Sequence, residues 1–126
     1  MAGLWHLDLE AGPIYAQIVR GVEQMLASGQ LKPGDRLPSA RELAAELKVN
    51  PNTVIHAYGQ LELAQLTETR RGLGTFVRQD VDVTVVRQRI LLRAAGRFWS
   101  EVQHLGLSLE DACKALQAVG ANPEVG

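Results

Sequence analysis

The chain has 126 residues, of which 46% are hydrophobic and 21% charged, and a formal net charge of -1; this is the balance of a globular chain with room for one ordinary domain, or for one compact domain and an appendage that needs a partner to bury itself. No apolar run approaches the roughly 20 residues that span a bilayer. Residues 1–80 hold eight lysines and arginines against nine aspartates and glutamates, so overall charge cannot hold a polyanion, and any such contact must rest on local placement of Arg41, Arg70, Arg71 and Arg78.

The N-terminal arm, Met1 to Gly12, is apolar at Leu4, Trp5, Leu7 and Leu9. It lacks the basic start and long apolar stretch of a secretory signal, so a cytoplasmic location is expected. Gly12-Pro13 then opens an amphipathic segment with Ile14, Ile18, Val22 and Leu26 at helical spacing, closing at Ser28-Gly29. Leu31-Lys32-Pro33-Gly34-Asp35 is a turn signal, and Arg36-Leu37-Pro38 leaves room only for a very short strand. Ser39 starts a second helix. Ser39-Ala40-Arg41-Glu42 has the form of a capping box, with the Ser39 hydroxyl accepting from the third amide and Glu42 reaching back; Leu43, Ala44 and Leu47 form the inward face. Lys48-Val49-Asn50 makes a three-residue turn. Asn50 is placed to cap a third helix, and Pro51 takes its first position, where a missing N–H costs nothing.

The third helix has an inward stripe of Val54, Ala57, Tyr58 and Leu61. At about 100° per residue its outward face carries Asn52, His56 and Gly59, flanked by Thr53, Ile55 and Gln60. Leu66 to Arg70 and Thr75 to Val77 alternate or branch like short strands, and Arg71-Gly72-Leu73-Gly74 supplies the glycines of a tight hairpin. Beyond Gln79-Asp80 comes a long helix, Val83 to Leu105, then Gly106-Leu107-Ser108 and a shorter helix to Gly120, with Ser108 and Asp111 marking its start. The long helix has two apolar lines: Leu91, Ala94, Phe98, Val102 and Leu105, and the seven-residue repeat Val85, Leu92 and Trp99. Two helices in one small chain cannot cover both, so a subunit interface that includes Val85, Leu92, Phe98 and Trp99 is expected. Cys113, the single cysteine, cannot form an internal disulfide, and a structural, buried thiol is expected. With His6, His56 and His104 scattered, no metal-ligand spacing arises, and neither metal nor cofactor is expected.

The fold class that follows is mainly α with a small β-hairpin wing: a winged helix-turn-helix over residues 1–80, arm included, and a helical dimerisation segment over 81–126. Two helices joined by a short turn, the second opening with Asn50-Pro51-Asn52-Thr53, put short polar groups at a helix N-terminus, where backbone amides and the helix dipole favour phosphate. That geometry suits the major groove of DNA. Asn52 and His56 could contact base edges, Thr53 a phosphate or base, and Ile55 a thymine methyl. Gly59 costs the helix about 1 kcal/mol relative to alanine; close approach of a DNA backbone and a neutral loss are both open.

These residues resemble the GntR regulators and, within them, the short YtrA-like subfamily. The similar stretches are Pro13-Ile14-Tyr15-x-Gln17-Ile18, Leu31-x-Pro33-Gly34-Asp35-x-Leu37-Pro38-Ser39-x-Arg41-x-Leu43-Ala44, Val49-Asn50-Pro51-Asn52-Thr53-Val54-x-x-Ala57-Tyr58-x-x-Leu61-Glu62 and Arg71-Gly72-x-Gly74-Thr75-Phe76-Val77. The resemblance implies a winged helix, repression by a homodimer on an inverted-repeat operator, and a C-terminal helix pair that dimerises in place of a large effector domain. It also implies DNA contacts from Arg41, Asn52, Thr53 and Gly72. Ile55 and His56 depart from the family pattern, where longer polar or basic side chains are common.

Ser39, Arg41, Asn50, Asn52, Thr53, Ile55, His56, Arg70, Arg71 and Gly72 are thus the candidate DNA-binding residues. Alternatives stand beside several of them: Arg41 as a solvated partner of Glu42 or Glu46, Arg70 and Arg71 as solvent-exposed side chains, His56 as an idle exposed ring. Tyr15 and Tyr58 are expected in the core. A protein-docking adaptor, favoured by the near-neutral charge, is the competing function. An enzyme has no nucleophile and base, metal cluster or phosphate-binding loop to support it. An unidentified small-molecule effector is left open, although two helices offer little volume for its cavity.

Overall fold

The computed structural model describes residues 7–8 and 12–122; the arm's Leu4, Trp5 and Leu9 lie outside the described residues, as does His6. The chain divides into two compact units, Met1–Arg87 and Gln88–Gly126. The elements in chain order are α1 (Ile14–Ser28), α2 (Ala40–Leu47), α3 (Pro51–Leu63), β1 (Thr67–Arg70), β2 (Gly74–Val77), α4 (Val83–His104) and α5 (Leu109–Ala121). The sequence places a boundary at 80/81, whereas the compact units meet seven residues later, inside α4. The first turn of α4 is tied to the first unit: Val86 is buried, and the Arg87 Nε donates to the Ala27 carbonyl at 2.8 Å, at the C-terminus of α1.

In the first unit the helical stripes meet as their spacing requires. Ile18 of α1, Leu43 and Ala44 of α2, and Val54 and Ala57 of α3 form one buried cluster, with Tyr15 and Tyr58 packed at its edge. Each large apolar side chain fully withdrawn from water contributes about 1.5–3 kcal/mol. Gly29 ends α1 in the left-handed region at φ 83°, a common helix stop. Between α2 and α3 the turn is Lys48-Val49-Asn50, and Lys48 takes φ 58° without being glycine.

β1 and β2 pair antiparallel with Thr67 opposite Val77 and Arg70 opposite Gly74. Arg36 adds one bridge to Phe76, supported by Leu37 N–H to Thr75 O at 2.8 Å and Val77 N–H to Asp35 O at 2.8 Å. The short stretch before α2 therefore pins the base of the hairpin to the helical core. Gly74 is needed here: its φ is 119°, and a Cβ would stand 2.9 Å from the Arg36 Nε.

The second unit contains the rest of α4 and all of α5. Gly106, at φ 73°, opens the turn between them, and Ser108 begins α5 with a full capping box: Asp111 N–H to Ser108 Oγ at 3.1 Å, Ser108 N–H to Asp111 Oδ2 at 3.0 Å. Among the described residues of this unit only Val102 and Ala112 are buried. Leu91, Ala94, Phe98, Leu116 and Val119 line an apolar groove of about 460 Å³ along the two helices. Cys113, expected as a buried structural thiol, is exposed, because α5 buries so little of its surface within the chain.

Candidate nucleic-acid interface

The site is built on helix ends fixed by their own side chains. Ser39 Oγ accepts from Glu42 N–H at 3.1 Å and so starts α2. Among the described residues only this half of the expected capping box forms; Glu42 does not return a bond. Asn50 Oδ1 accepts from Asn52 N–H at 2.8 Å, with Pro51 at the first helical position of α3. These caps satisfy amides that would otherwise lack a partner, and they orient the N-termini of α2 and α3.

A contact that the sequence did not signal locks α3 in place. The Tyr58 hydroxyl donates to the Pro38 carbonyl at 2.7 Å, joining α3 to the residue just before the Ser39 cap of α2. Burial pushes the Tyr58 phenol well above its ordinary range, and the carboxylates of Glu42 and Glu46 push it further, so it stays a protonated donor.

On α3 the expected outward face is outward. Asn52, Ile55, His56 and Gly59 are exposed and Thr53 is half-buried. His56 is not idle, however: its ring meets the Tyr15 ring of α1 edge-on, with centroids 4.2 Å apart at 65°. This aromatic contact holds His56 toward α1.

The arginines separate into two kinds. Arg70 is spent within the wing, with Nε and Nη2 on Glu68 Oε1 at 3.1 and 2.8 Å and its guanidinium 4.4 Å from the centre of the Phe76 ring. Arg78 makes a two-point pair with Asp80 at 2.9 and 2.8 Å, which draws the Asp80 carboxyl below its usual range. Arg41 and Arg71 are exposed and hold no intrachain hydrogen bond or ion pair among the described residues.

Between α3 and the wing lies an open trough of about 600 Å³. Its lining brings together Ser39, Ile55, Arg70, Arg71 and Gly72 from the sequence's candidate set, with Gly59, Glu62 and Thr69 added. Arg41, Asn50, Asn52, Thr53 and His56 lie outside this lining, on α2 and the first half of α3. On α4 Val85, Leu92 and Trp99 are exposed and Phe98 is half-buried. The described residues contain no cluster of metal-binding side chains, and no helix among them is long and apolar enough to cross a membrane.

A capped helix-turn-helix followed at once by a two-stranded hairpin is a winged helix-turn-helix, a fold of DNA-binding proteins. Residues 14–77 match the model of the bacterial regulatory proteins of the gntR family, and the chain belongs to that family of DNA-binding transcriptional regulators. It is 34% identical over 116 residues to the HTH-type transcriptional repressor YtrA of Bacillus subtilis, covering 90% of this chain and 89% of the relative. A GntR family transcriptional regulator from Listeria monocytogenes superposes with a TM-score of 0.79 at 33% identity, covering 90% of this chain and 99% of that one. The DNA-binding domain of AraR, in complex with operator ORX1, matches with a TM-score of 0.51 at 30% identity over 56% of this chain and 86% of that one. The fold and these relatives are those of transcription regulators.

Proposed function

We propose that the chain is a transcriptional repressor that binds an inverted-repeat operator as a homodimer. The observation that carries this reading is a pair of guanidinium groups with no partner among the described residues, Arg41 on α2 and Arg71 at the wing, beside a recognition helix whose capped N-terminus carries Asn52 and Thr53. Arg41 contacts a phosphate or guanine near the major groove, Asn52, Thr53 and Ile55 meet base edges or thymine methyls, and Arg71 and Gly72 enter the flanking minor groove. Ser39 and Asn50 hold the helix ends against phosphates, and Arg70 and His56 support the wing and α3 while facing the DNA.

Two copies pair through Val85, Leu92, Phe98 and Trp99 of α4. The apolar surface that the second unit leaves uncovered supports this pairing. The recognition helices then enter major grooves about 34 Å apart, one turn of duplex or a multiple of it. Repression follows from occlusion of a promoter; the named repressor among the relatives favours that direction.

The test is selection of bound duplexes from a random pool by the full chain at two salt concentrations, since nonspecific binding falls steeply with salt. An enriched inverted repeat is the expected result. A single enriched half-site would sink the dimer and keep the DNA contact. No enrichment at either concentration would overturn the reading and leave protein docking, which the near-neutral charge of residues 1–80 would then favour.

A further inference from the structure

Gly59 is a helix-interior glycine for which the described residues supply no reason. It lies well inside the 13-residue α3 and is not among the glycines with positive φ. A Cβ built on it meets nothing within 4 Å. Gly74 differs on both counts, since its φ is 119° and a Cβ would press on Arg36. Glycine weakens a helix relative to alanine, and here neither conformation nor packing within the chain calls for it.

What the missing side chain does is keep one wall of the trough flat. Gly59 lines that trough along α3, with Arg71 and Gly72 from the wing and Ser39 from the start of α2. A duplex read by α3 in its major groove and by the wing in the adjoining minor groove must place something between them, because the sugar–phosphate backbone is the ridge that separates the two grooves. We infer that one operator strand seats its backbone against the α3 main chain at Gly59, closer than any side chain at that position would allow. The Arg71 guanidinium, directed into the adjoining minor groove, flanks that strand, and the Ser39 hydroxyl, which accepts from Glu42 N–H, keeps its own proton to donate to a phosphate there. Glu62, also in the lining, sets a carboxylate against phosphate, so the close seat lies at the glycine and not one turn further along. This inference rests on the DNA-binding reading above and adds a residue to it that the family resemblance does not supply.

The experiment uses the full chain and the duplex recovered by selection. Gly59→Ala and Gly59→Leu are compared with wild type for thermal midpoint, operator affinity and hydroxyl-radical footprint. Gly59→Ala is expected to raise the midpoint while weakening operator binding several-fold, and Gly59→Leu to weaken it by about tenfold or more, the scale of a lost specific contact. Protection should fade at the sugars between the major-groove and minor-groove contacts. A higher midpoint with weaker binding separates loss of fit from loss of fold. Wild-type affinity and footprint in both variants would overturn the inference and make the glycine a neutral loss. If wild type enriches no duplex, the DNA-binding reading falls and this inference falls with it; if wild type binds and the variants bind equally, only this inference falls.

Discussion

The two units of the chain treat their apolar side chains in opposite ways. In the first, Ile18, Val22, Leu26, Val54 and Leu61 are each 0% exposed; in the second, Leu91 and Leu92 are each 61% exposed and Leu116 57%. The first unit closes a core from three helices and the base of a wing, so its stability is its own. The second has two helices and no third layer, and its apolar surface is the kind that associates. Under the proposed function, reading an operator half-site and pairing two half-sites would fall to different physical solutions: a self-sufficient core for the first and a surface that depends on protein concentration for the second.

The largest effects should come from trading one kind of apolar residue for the other. Leu61→Ala removes a fully buried side chain of α3 and is expected to cost about 2–5 kcal/mol, read as a lower denaturant midpoint that does not move with protein concentration. Trp99→Glu puts a charge on the uncovered stripe of α4. It should leave the unfolding of the first unit unchanged and shift sedimentation from dimer toward monomer. An unaltered dimer would move the interface off this stripe, and a concentration-dependent Leu61→Ala midpoint would mean that the first unit is not independent after all.

Within the first unit the arginines give a sharper test. Arg41→Ala and Arg71→Ala should each weaken operator binding by about 1–3 kcal/mol, or roughly 5- to 150-fold, with little change in thermal midpoint. Arg70→Ala should weaken it less and lower the stability of the wing, since its guanidinium is engaged by Glu68 and Phe76. Equal losses for Arg70 and Arg71 in competition binding would show that the wing gives up its internal pair to reach DNA.

Most of the helical frame was legible because its signals are local. The Ser39 and Asn50 caps, the Pro51 start, the Gly29 stop and the stripe through Ile18, Val22 and Leu26 are fixed within a turn or two of sequence, and all appear where they were expected. What escaped was long-range or depended on geometry between elements. Nothing in the sequence joins Tyr58 to Pro38, twenty residues away, brings His56 against Tyr15, or commits Arg70 to Phe76 while leaving Arg71 free. Left-handed Lys48 and Gln65 were equally invisible, because the composition of a turn marks glycine as the left-handed residue and both positions lack it. The late division at Arg87 escaped because the stretch from Val83 to Ala95 holds no proline or glycine to signal a boundary.

A smaller effect isolates a cost inside the wing. The Thr67 hydroxyl is buried with no hydrogen-bond partner among the described residues, opposite Val77 in the strand register. An unsatisfied buried hydroxyl costs about 1–3 kcal/mol, and replacing it by an apolar group of the same shape is neutral or stabilising. Thr67→Val keeps the branched shape suited to a strand and should raise the denaturant midpoint by an amount equivalent to about 1 kcal/mol, with operator binding unchanged. A lower midpoint would mean that the hydroxyl is satisfied after all.

The smallest effect concerns acid, and it reaches both units. Asp111 accepts hydrogen bonds from the Ser108 backbone N–H and hydroxyl, which hold its carboxyl below the ordinary value of 3.8; in the first unit Arg78 does the same for Asp80. A carboxylate whose folded value is lowered contributes stability that is present above the unfolded value and is lost as pH falls through the folded one. Neutral and mildly acidic solutions should therefore leave the first turn of α5 intact, with fraying beginning only below about pH 4, near the unfolded carboxylate value. Amide exchange at Asp111 and Ala112, followed from pH 7 to 3 in wild type and Asp111→Asn, reads this directly. The variant, which has no charge to lose, should exchange faster at pH 7 and respond little to acid. If wild type and variant lose protection together as pH falls, the acid response belongs to the opening of the helical unit as a whole, where the exposed leucines leave little to resist it, and not to the cap.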